Sequence, residues 1–297
     1  MRHLLTIFVL TFVDAAPLWS QEPKTKAEPN VPEGVIYDKD VKFGKGGDTT
    51  LRMDVARPEK ATRPLPCIVV IHGGGWRGGN FKQHMPQIFD FAQHGYVSAT
   101  VQYRLVPVGQ WPAQIEDVKC AVRYLRANAD KYGIHKDRFG AVGFSAGAHL
   151  SMLLGTMDQK DGLEGSGGNP DQSSKVQAVV SWFGPTDLGQ KDFPASVNEM
   201  IDNFLGGTLE EKPEAYKAAS PVTYVDKDDA PILHYQGTKD VLVPYNQAYL
   251  MADAMTKAGL PGRVELLLGA NHGWGGAELT RTFAGTRAFF DEQLKKK

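Results

Sequence analysis

Ser145 stands in Gly143-Phe144-Ser145-Ala146-Gly147, between a short apolar run and a helix-prone run over 146–154. A strand entering Gly-x-Ser-x-Gly and a helix leaving it is the context in which a serine is raised on a sharp turn. Glycine is expected on both sides because a Cβ there would collide with neighbouring backbone. At the head of a helix, backbone N–H groups and the positive end of the dipole favour a developing oxyanion. A serine hydroxyl is a poor nucleophile at neutral pH. It needs a histidine base, and the histidine needs a carboxylate to fix its tautomer and stabilise imidazolium.

Eight histidines are available. His3 lies in the N-terminal apolar segment, His84 and His94 lie on or beside a polar helix, and His135 is in a turn. His149 falls inside the helix after Ser145 and is expected to pack; His234 falls within a strand. His72 opens a glycine run. His272 alone follows the last strand in a loop, Gly269-Ala270-Asn271-His272-Gly273-Trp274, and is the expected base. Asp240, in Gly237-Thr238-Lys239-Asp240-Val241-Leu242-Val243-Pro244, is the expected acid. It gives the chain order Ser, Asp, His of an α/β-hydrolase. Asp187, after the preceding strand, is the rival, with capping of the following segment as its alternative role. The run His72-Gly73-Gly74-Gly75-Trp76 follows an apolar strand, and glycines let backbone N–H groups approach a substrate closely. With Ala146 it is expected to form an oxyanion hole, His72 orienting the loop. A phosphate cradle is disfavoured, since neither Gly-Lys-Ser/Thr nor dinucleotide spacing is present. Trp76, Trp182 and Trp274 lie at the ends of the same strands, where they either line an acyl or alcohol pocket or pack its rim.

The elements that must hold these residues are legible as an alternation. Residues 35–43 and 49–56 read as an antiparallel hairpin. The continuous apolar run Cys67-Ile68-Val69-Val70-Ile71 reads as a strand covered on both faces. Helix 82–93, strand 96–103 and helix 112–132 follow, the last carrying Ile115, Val118, Val122 and Leu125 on one face. Strands at 176–183, 232–235 and 263–268 alternate with helices at 244–258 and 276–295. The pattern predicts an α/β fold: a mostly parallel sheet with helices on both faces, entered by the hairpin. Ligands then bind beyond the carboxyl ends of the strands. Residues 158–174 read as a flexible loop. Residues 186–229, with helical pieces at 196–205 and 212–219, read as an insertion over the site within a catalytic domain spanning 35–297.

Net charge is −1, without a basic stripe, so nucleic acid is not an expected partner. Cys67 and Cys120 make no disulfide framework and read as small buried hydrophobes. Neither has metal-ligand spacing, and no metal is expected. Arg2 and His3 precede an apolar run over 4–13, which reads as a signal peptide within 1–20 and predicts a secreted or periplasmic protein. That run is short of the roughly 20 apolar residues of a membrane span, so no stable membrane anchor is expected. Residues 21–34 read as a proline-rich linker.

Together these motifs resemble those of α/β-hydrolase esterases, of the hormone-sensitive-lipase-like and feruloyl/acetyl-xylan-esterase-like groups, from residue 35 to the C-terminus. The resemblance implies that Ser145 is acylated, His272 shuttles the proton, Asp240 supports His272, and Gly74, Gly75 and Ala146 donate to the oxyanion. It implies no cofactor. The Asp-Pro-Leu-x-Asp segment of the hormone-sensitive-lipase pattern is absent, and no long helical cap precedes the first strands. Both points favour short acyl or hydroxycinnamoyl esters, on small molecules or polysaccharide side chains, over long-chain lipids. A serine peptidase or arylformamidase of the same fold, and a non-catalytic binding protein on this scaffold, are the alternatives. Oligomeric state is not legible.

Overall fold

The computed structural model describes residues 29–295. The chain divides at residue 30 into Met1–Asn30 and the unit Val31–Lys297, which carries every element below. The expected leader and most of the expected linker lie outside the described residues. Among the described residues, no helix is long and apolar enough to cross a membrane.

In chain order the elements are β1 (Val35–Gly46), β2 (Thr49–Pro58), β3 (Leu65–Ile71), α1 (Met85–Gln93), β4 (Val97–Val101), α2 (Ala113–Ala127), α3 (Ala129–Tyr132), β5 (Ile134–Phe144), α4 (Ala146–Thr156), β6 (Ala178–Trp182), α5 (Ala195–Leu205), α6 (Pro213–Ala218), β7 (Ile232–Gly237), α7 (Asn246–Ala258), β8 (Gly262–Leu267) and α8 (Gly276–Leu294). The strands form one sheet in the order β1-β2-β4-β3-β5-β6-β7-β8. β2 pairs antiparallel with both β1 and β4; the remaining pairs are parallel. This is the α/β-hydrolase architecture expected, hairpin included.

The period-2 alternation of strands feeds two cores. Cys67, Val69 and Ile71 of β3 pack with Ile115, Val118 and Val122 of α2 and Leu150 and Leu153 of α4. Ile68 and Val70 face the other way, against Ile88 and Phe91 of α1 and Phe289 and Phe290 of α8. The central strands therefore read as unbroken apolar runs because both faces are covered. Cys67 and Cys120 are free and buried in the first of these cores.

Three expected elements differ in detail. The predicted helix 112–132 breaks at Asn128, whose amide bonds back to Tyr124 O at 2.8 Å and leaves a separate turn, α3. The predicted helix 82–93 begins as a 3₁₀ turn, Phe81–His84, capped where Asn80 accepts from Lys82 N, before α1 takes over. The segment 158–174, expected to be flexible, is tied to the body. Glu164 pairs with Lys119 at 3.0 Å and Arg123 at 2.8 Å on α2, and Gly167 O accepts from Lys45 N at 3.3 Å.

Between β6 and β7 the chain leaves the sheet to form α5 and α6. These build a third apolar cluster, Phe193, Val197, Ile201, Phe204 and Leu205 packing with Trp76 and Ala146. Trp76 and Ala146 come from the loop after β3 and the head of α4. The excursion thus rests directly on the segments flanking Ser145.

Candidate active site

β5 delivers Ser145 at φ 54°, ψ −121°, a backbone region that non-glycine residues avoid. The turn persists because its neighbours leave no alternative. A Cβ at Gly143 would run into Gly147 O, and one at Gly147 into Ile71 O and His72 O. Ser145 N donates to Trp182 O on the adjacent strand at 2.9 Å. Two further non-glycine residues with positive φ, Trp76 at 56° and Phe183 at 46°, line the same cavity as Ser145. Backbone strain of this kind costs on the order of 1–3 kcal/mol per residue and collects at functional sites.

The loops after β7 and β8 bring the other two side chains in. His272 Nε2 lies 3.0 Å from Ser145 Oγ, and His272 Nδ1 lies 2.8 Å from Asp240 Oδ2. The Asp240 side chain is fully buried, yet each oxygen is satisfied. Oδ1 accepts from Leu242 N and Val243 N, both at 2.9 Å. Oδ2 accepts from His272 and from Gln236 Nε2 at 3.0 Å. The two loops are laced together. Asn271 Oδ1 accepts from Val241 N at 3.2 Å and His272 N at 2.7 Å, and Lys239 N donates to Ala270 O at 2.8 Å. Asp187 is not part of this chain of contacts. Its carboxylate accepts from Gly189 N at 2.9 Å and Gln190 Nε2 at 2.6 Å, a local turn cap.

The glycine run packs on the elbow. A Cβ at Gly73 would lie 2.7 Å from Phe144 O and 3.2 Å from Ser145 Cβ. Gly74 and Gly75 have φ of 116° and 58°, the left-handed region that favours glycine. Among the described residues, the N–H groups of Gly74, Gly75 and Ala146 donate to no protein acceptor, and all three residues line the cavity. His72 is buried, stacks on Tyr103 with ring centres 4.4 Å apart, and approaches Gly73 O with Nδ1 at 2.7 Å. Burial holds its pKa below the usual imidazole value, which keeps the ring neutral. His149 is inside the core, where Nε2 contacts Ala219 O at 2.6 Å and Nδ1 accepts from Trp76 Nε1 at 3.3 Å. Burial pushes its pKa down to about 4.

The cavity at Ser145 has a volume of ≈ 550 Å³. One wall is the apolar face of α5, with Val197, Met200 and Ile201, continued by Phe193 and Leu242; Phe144 and Phe183 also line it. Of the two roles open to the tryptophans, lining a pocket or packing its rim, packing prevails for Trp182 and Trp274. Trp76 reaches the cavity but is only 3% exposed and stacks on Phe204 at 4.4 Å, so it supports the wall. Trp182 and Trp274 do not line it. Strand alternation turns Trp182 toward α8, where its Nε1 donates to Thr286 at 3.2 Å and its ring stacks on Trp274 at 5.1 Å. Trp274 Nε1 donates to Thr282 at 2.9 Å. The next residue, Phe183, takes the cavity position and contacts the His272 ring at 4.6 Å. Sequence reasoning placed a helix over the site but did not name Val197, Met200 and Ile201 as its lining residues, and it missed Phe144, Phe183 and Gln236. The apolar spacing Val197–Ile201 was a usable signal for α5; Gln236 left none.

Esterase LipC of Mycobacterium tuberculosis is 31% identical over 77% of this chain, and esterase LipQ of the same organism 31% over 74%. The chain spans 58% and 53% of the length of those relatives. A truncated carbohydrate esterase from gut microbiota superposes with a TM-score of 0.79 at 30% identity, covering 88% of this chain and 97% of that one. The thermophilic esterase Est2 of Thermogutta terrifontis, in its propionate-bound form, gives 0.74 at 26% identity, covering 91% and 98%. The BD-FAE family matches residues 53–255, which include the glycine run, the elbow and Asp240. With its parallel sheet, its Gly-x-Ser-x-Gly elbow and this match over more than half its length, the chain belongs to the BD-FAE family of the α/β-hydrolase fold.

Proposed function

We propose that the protein is a serine carboxylic ester hydrolase acting on short-chain acyl esters through an acyl-enzyme. The observation that carries this reading is the unbroken contact line Asp240 Oδ2, His272 Nδ1 and Nε2, Ser145 Oγ, at 2.8 and 3.0 Å. In the reaction, His272 Nε2 takes the Ser145 proton as Oγ bonds to the acyl carbon. The carbonyl oxygen becomes an oxyanion facing the unpartnered N–H groups of Ala146, Gly74 and Gly75; an aimed donor contributes about 3–4 kcal/mol to the transition state. Collapse expels the alcohol, which takes the proton from Nε2. Water then repeats the sequence and releases the acid. Asp240 accepts from Nδ1–H throughout, fixing the tautomer and stabilising imidazolium.

Short acyl groups fit a cavity closed on one side by α5. Est2, similar in fold, was solved with propionate and with butyrate bound, which supports the same size class here. The similarity to a carbohydrate esterase supports acyl groups carried on sugars as natural substrates. Export to the periplasm or the medium belongs to the same proposal and rests on the N-terminal apolar run. The test is hydrolysis of p-nitrophenyl acetate, butyrate and octanoate, methyl ferulate and acetylated xylan, with fluorophosphonate labelling. Labelling at Ser145 with acetate and butyrate above octanoate is expected. No labelling and no turnover would point to a binding protein on this scaffold; cleavage of aminoacyl amides in place of esters would point to a peptidase.

A further inference from the structure

Among the described residues, four polar side chains line the cavity: Ser145, His272, Arg77 and Gln83. The first two are used by the chemistry proposed above. Arg77 and Gln83 have no assigned role. Arg77 sits in the tight turn after Trp76, where its N–H and that of Gly78 both donate to Gly74 O, at 3.2 and 2.9 Å. Gln83 sits in the 3₁₀ turn Phe81–His84. Both are exposed. Among the described residues neither side chain has a hydrogen-bond or ion-pair partner, whereas Arg57, Arg104, Arg123, Arg281 and Arg287 are paired with carboxylates. Among the described residues no aspartate or glutamate lines the cavity, so the guanidinium charge has no counter-charge from them there.

The lining is therefore unequal. The α5 face offers only apolar atoms, whereas Arg77 and Gln83 offer a planar cation and an amide with free donors. A guanidinium matches a carboxylate in a forked, two-bond geometry that an ammonium cannot reproduce. We propose that Arg77, assisted by Gln83, forms an anion-selecting subsite, so that the preferred substrates are esters with one small apolar half and one half bearing a carboxylate. The apolar half lies along α5, and the carboxylate meets Arg77. This rests on the ester-hydrolase reading and narrows its substrate class.

The test uses matched pairs differing only by the carboxylate. Phenyl acetate and 4-acetoxybenzoate place it on the alcohol side; diethyl succinate and monoethyl succinate place it on the acyl side. Arg77→Gln is expected to lower kcat/KM for the anionic member of one pair roughly tenfold and to leave both neutral esters within about twofold. Arg77→Lys keeps the charge without the fork and is expected to recover only part. Added salt is expected to erode the wild-type preference, because the subsite is solvent-exposed. The pair that responds identifies which half of the ester Arg77 meets. Equal effects of Arg77→Gln on charged and neutral members, or no effect on either, would overturn the proposal. Turnover of the neutral esters by wild type tests the ester-hydrolase reading separately, since that reading needs no contribution from Arg77.

Discussion

At the residue scale, Asp240 is the informative group. A carboxylate buried among strand ends is tolerable because four donors meet it, two from backbone, one from His272 and one from Gln236. Asp240→Asn keeps the shape but offers an amide where Nδ1–H needs an acceptor, so kcat should fall by about 10²–10⁴. Asp187→Asn should stay near wild type, because its carboxylate caps a turn and meets Ser220 Oγ, not His272. The reverse ranking in steady-state kinetics would refute the assignment of the acid. Gln236 is a positioning residue. Its Nε2 donates to Asp240 Oδ2 and to Val243 O, both at 3.0 Å, and two acceptors on one nitrogen fix the orientation of the amide. Gln236→Leu should lower kcat roughly tenfold with little change in KM, the scale of one hydrogen bond to a charged group. An unchanged kcat would show that the backbone donors alone hold the acid. Sequence could name Asp240 from its place after a strand. It could not name Gln236, because a polar residue within a strand is equally compatible with a solvent-facing position.

At the scale of elements, the elbow and α5 answer different questions. The elbow is set by steric exclusion: three segments, β3, β5 and α4, meet where only Gly143 and Gly147 leave room. Gly147→Ala should yield little folded protein, since its Cβ would strike two backbone carbonyls that cannot move independently. Ser145→Ala should fold normally, bind substrate and lack turnover; the two outcomes are separated by thermal unfolding of the purified variants. α5 sets the size of the cavity. Met200 lies against the glycine loop, with Sδ 2.7 Å from where a Gly75 Cβ would stand. Met200→Ala should raise the butyrate-to-acetate ratio of kcat/KM, and Met200→Trp should lower it, by about tenfold per methylene gained or lost. Identical ratios in all three forms would mean that α5 does not contact the acyl chain. The existence of α5 could be read from its apolar spacing. Its place over the site was expected from the excursion between two strands, but which of its side chains face the cavity was not, because nothing local says which surface its buried face meets.

At the scale of the whole molecule, buried ionisable groups set the pH range of stability. His149 and His234 are fully buried, and burial lowers both to about 4 from 6.5; His84 is lowered to about 4 by burial and by the nearby His72. Between those values the unfolded chain binds more protons than the folded one, so these groups make stability rise with pH and fall as pH drops from 6.5 toward 4. Asp229 acts oppositely. Burial, then neighbouring Asp226, raises it to about 7, so the folded form holds a proton that the unfolded form has lost, and stability falls as pH rises from about 4 to 7. Asp229 is itself buried, but four histidines, His72, His84, His149 and His234, oppose it. The thermal midpoint should therefore climb from pH 4 to 6.5. Asp229→Asn should steepen that climb and His234→Gln should flatten it; a midpoint that falls over this range would show that the carboxylate dominates. The sequence by itself determined the sheet, the helices on both faces and the order Ser145, Asp240, His272, because strand and helix periods and glycine-bounded turns are local properties of the chain. Only the tertiary structure decided which aromatic residues line the cavity, that Asp187 is turned away, that Gln236 reaches Asp240, and that Arg77 stands without a counter-charge. Those facts depend on strand register and on contacts between segments far apart in sequence, where a shift of one residue, as between Trp182 and Phe183, turns a side chain to the opposite face of the sheet.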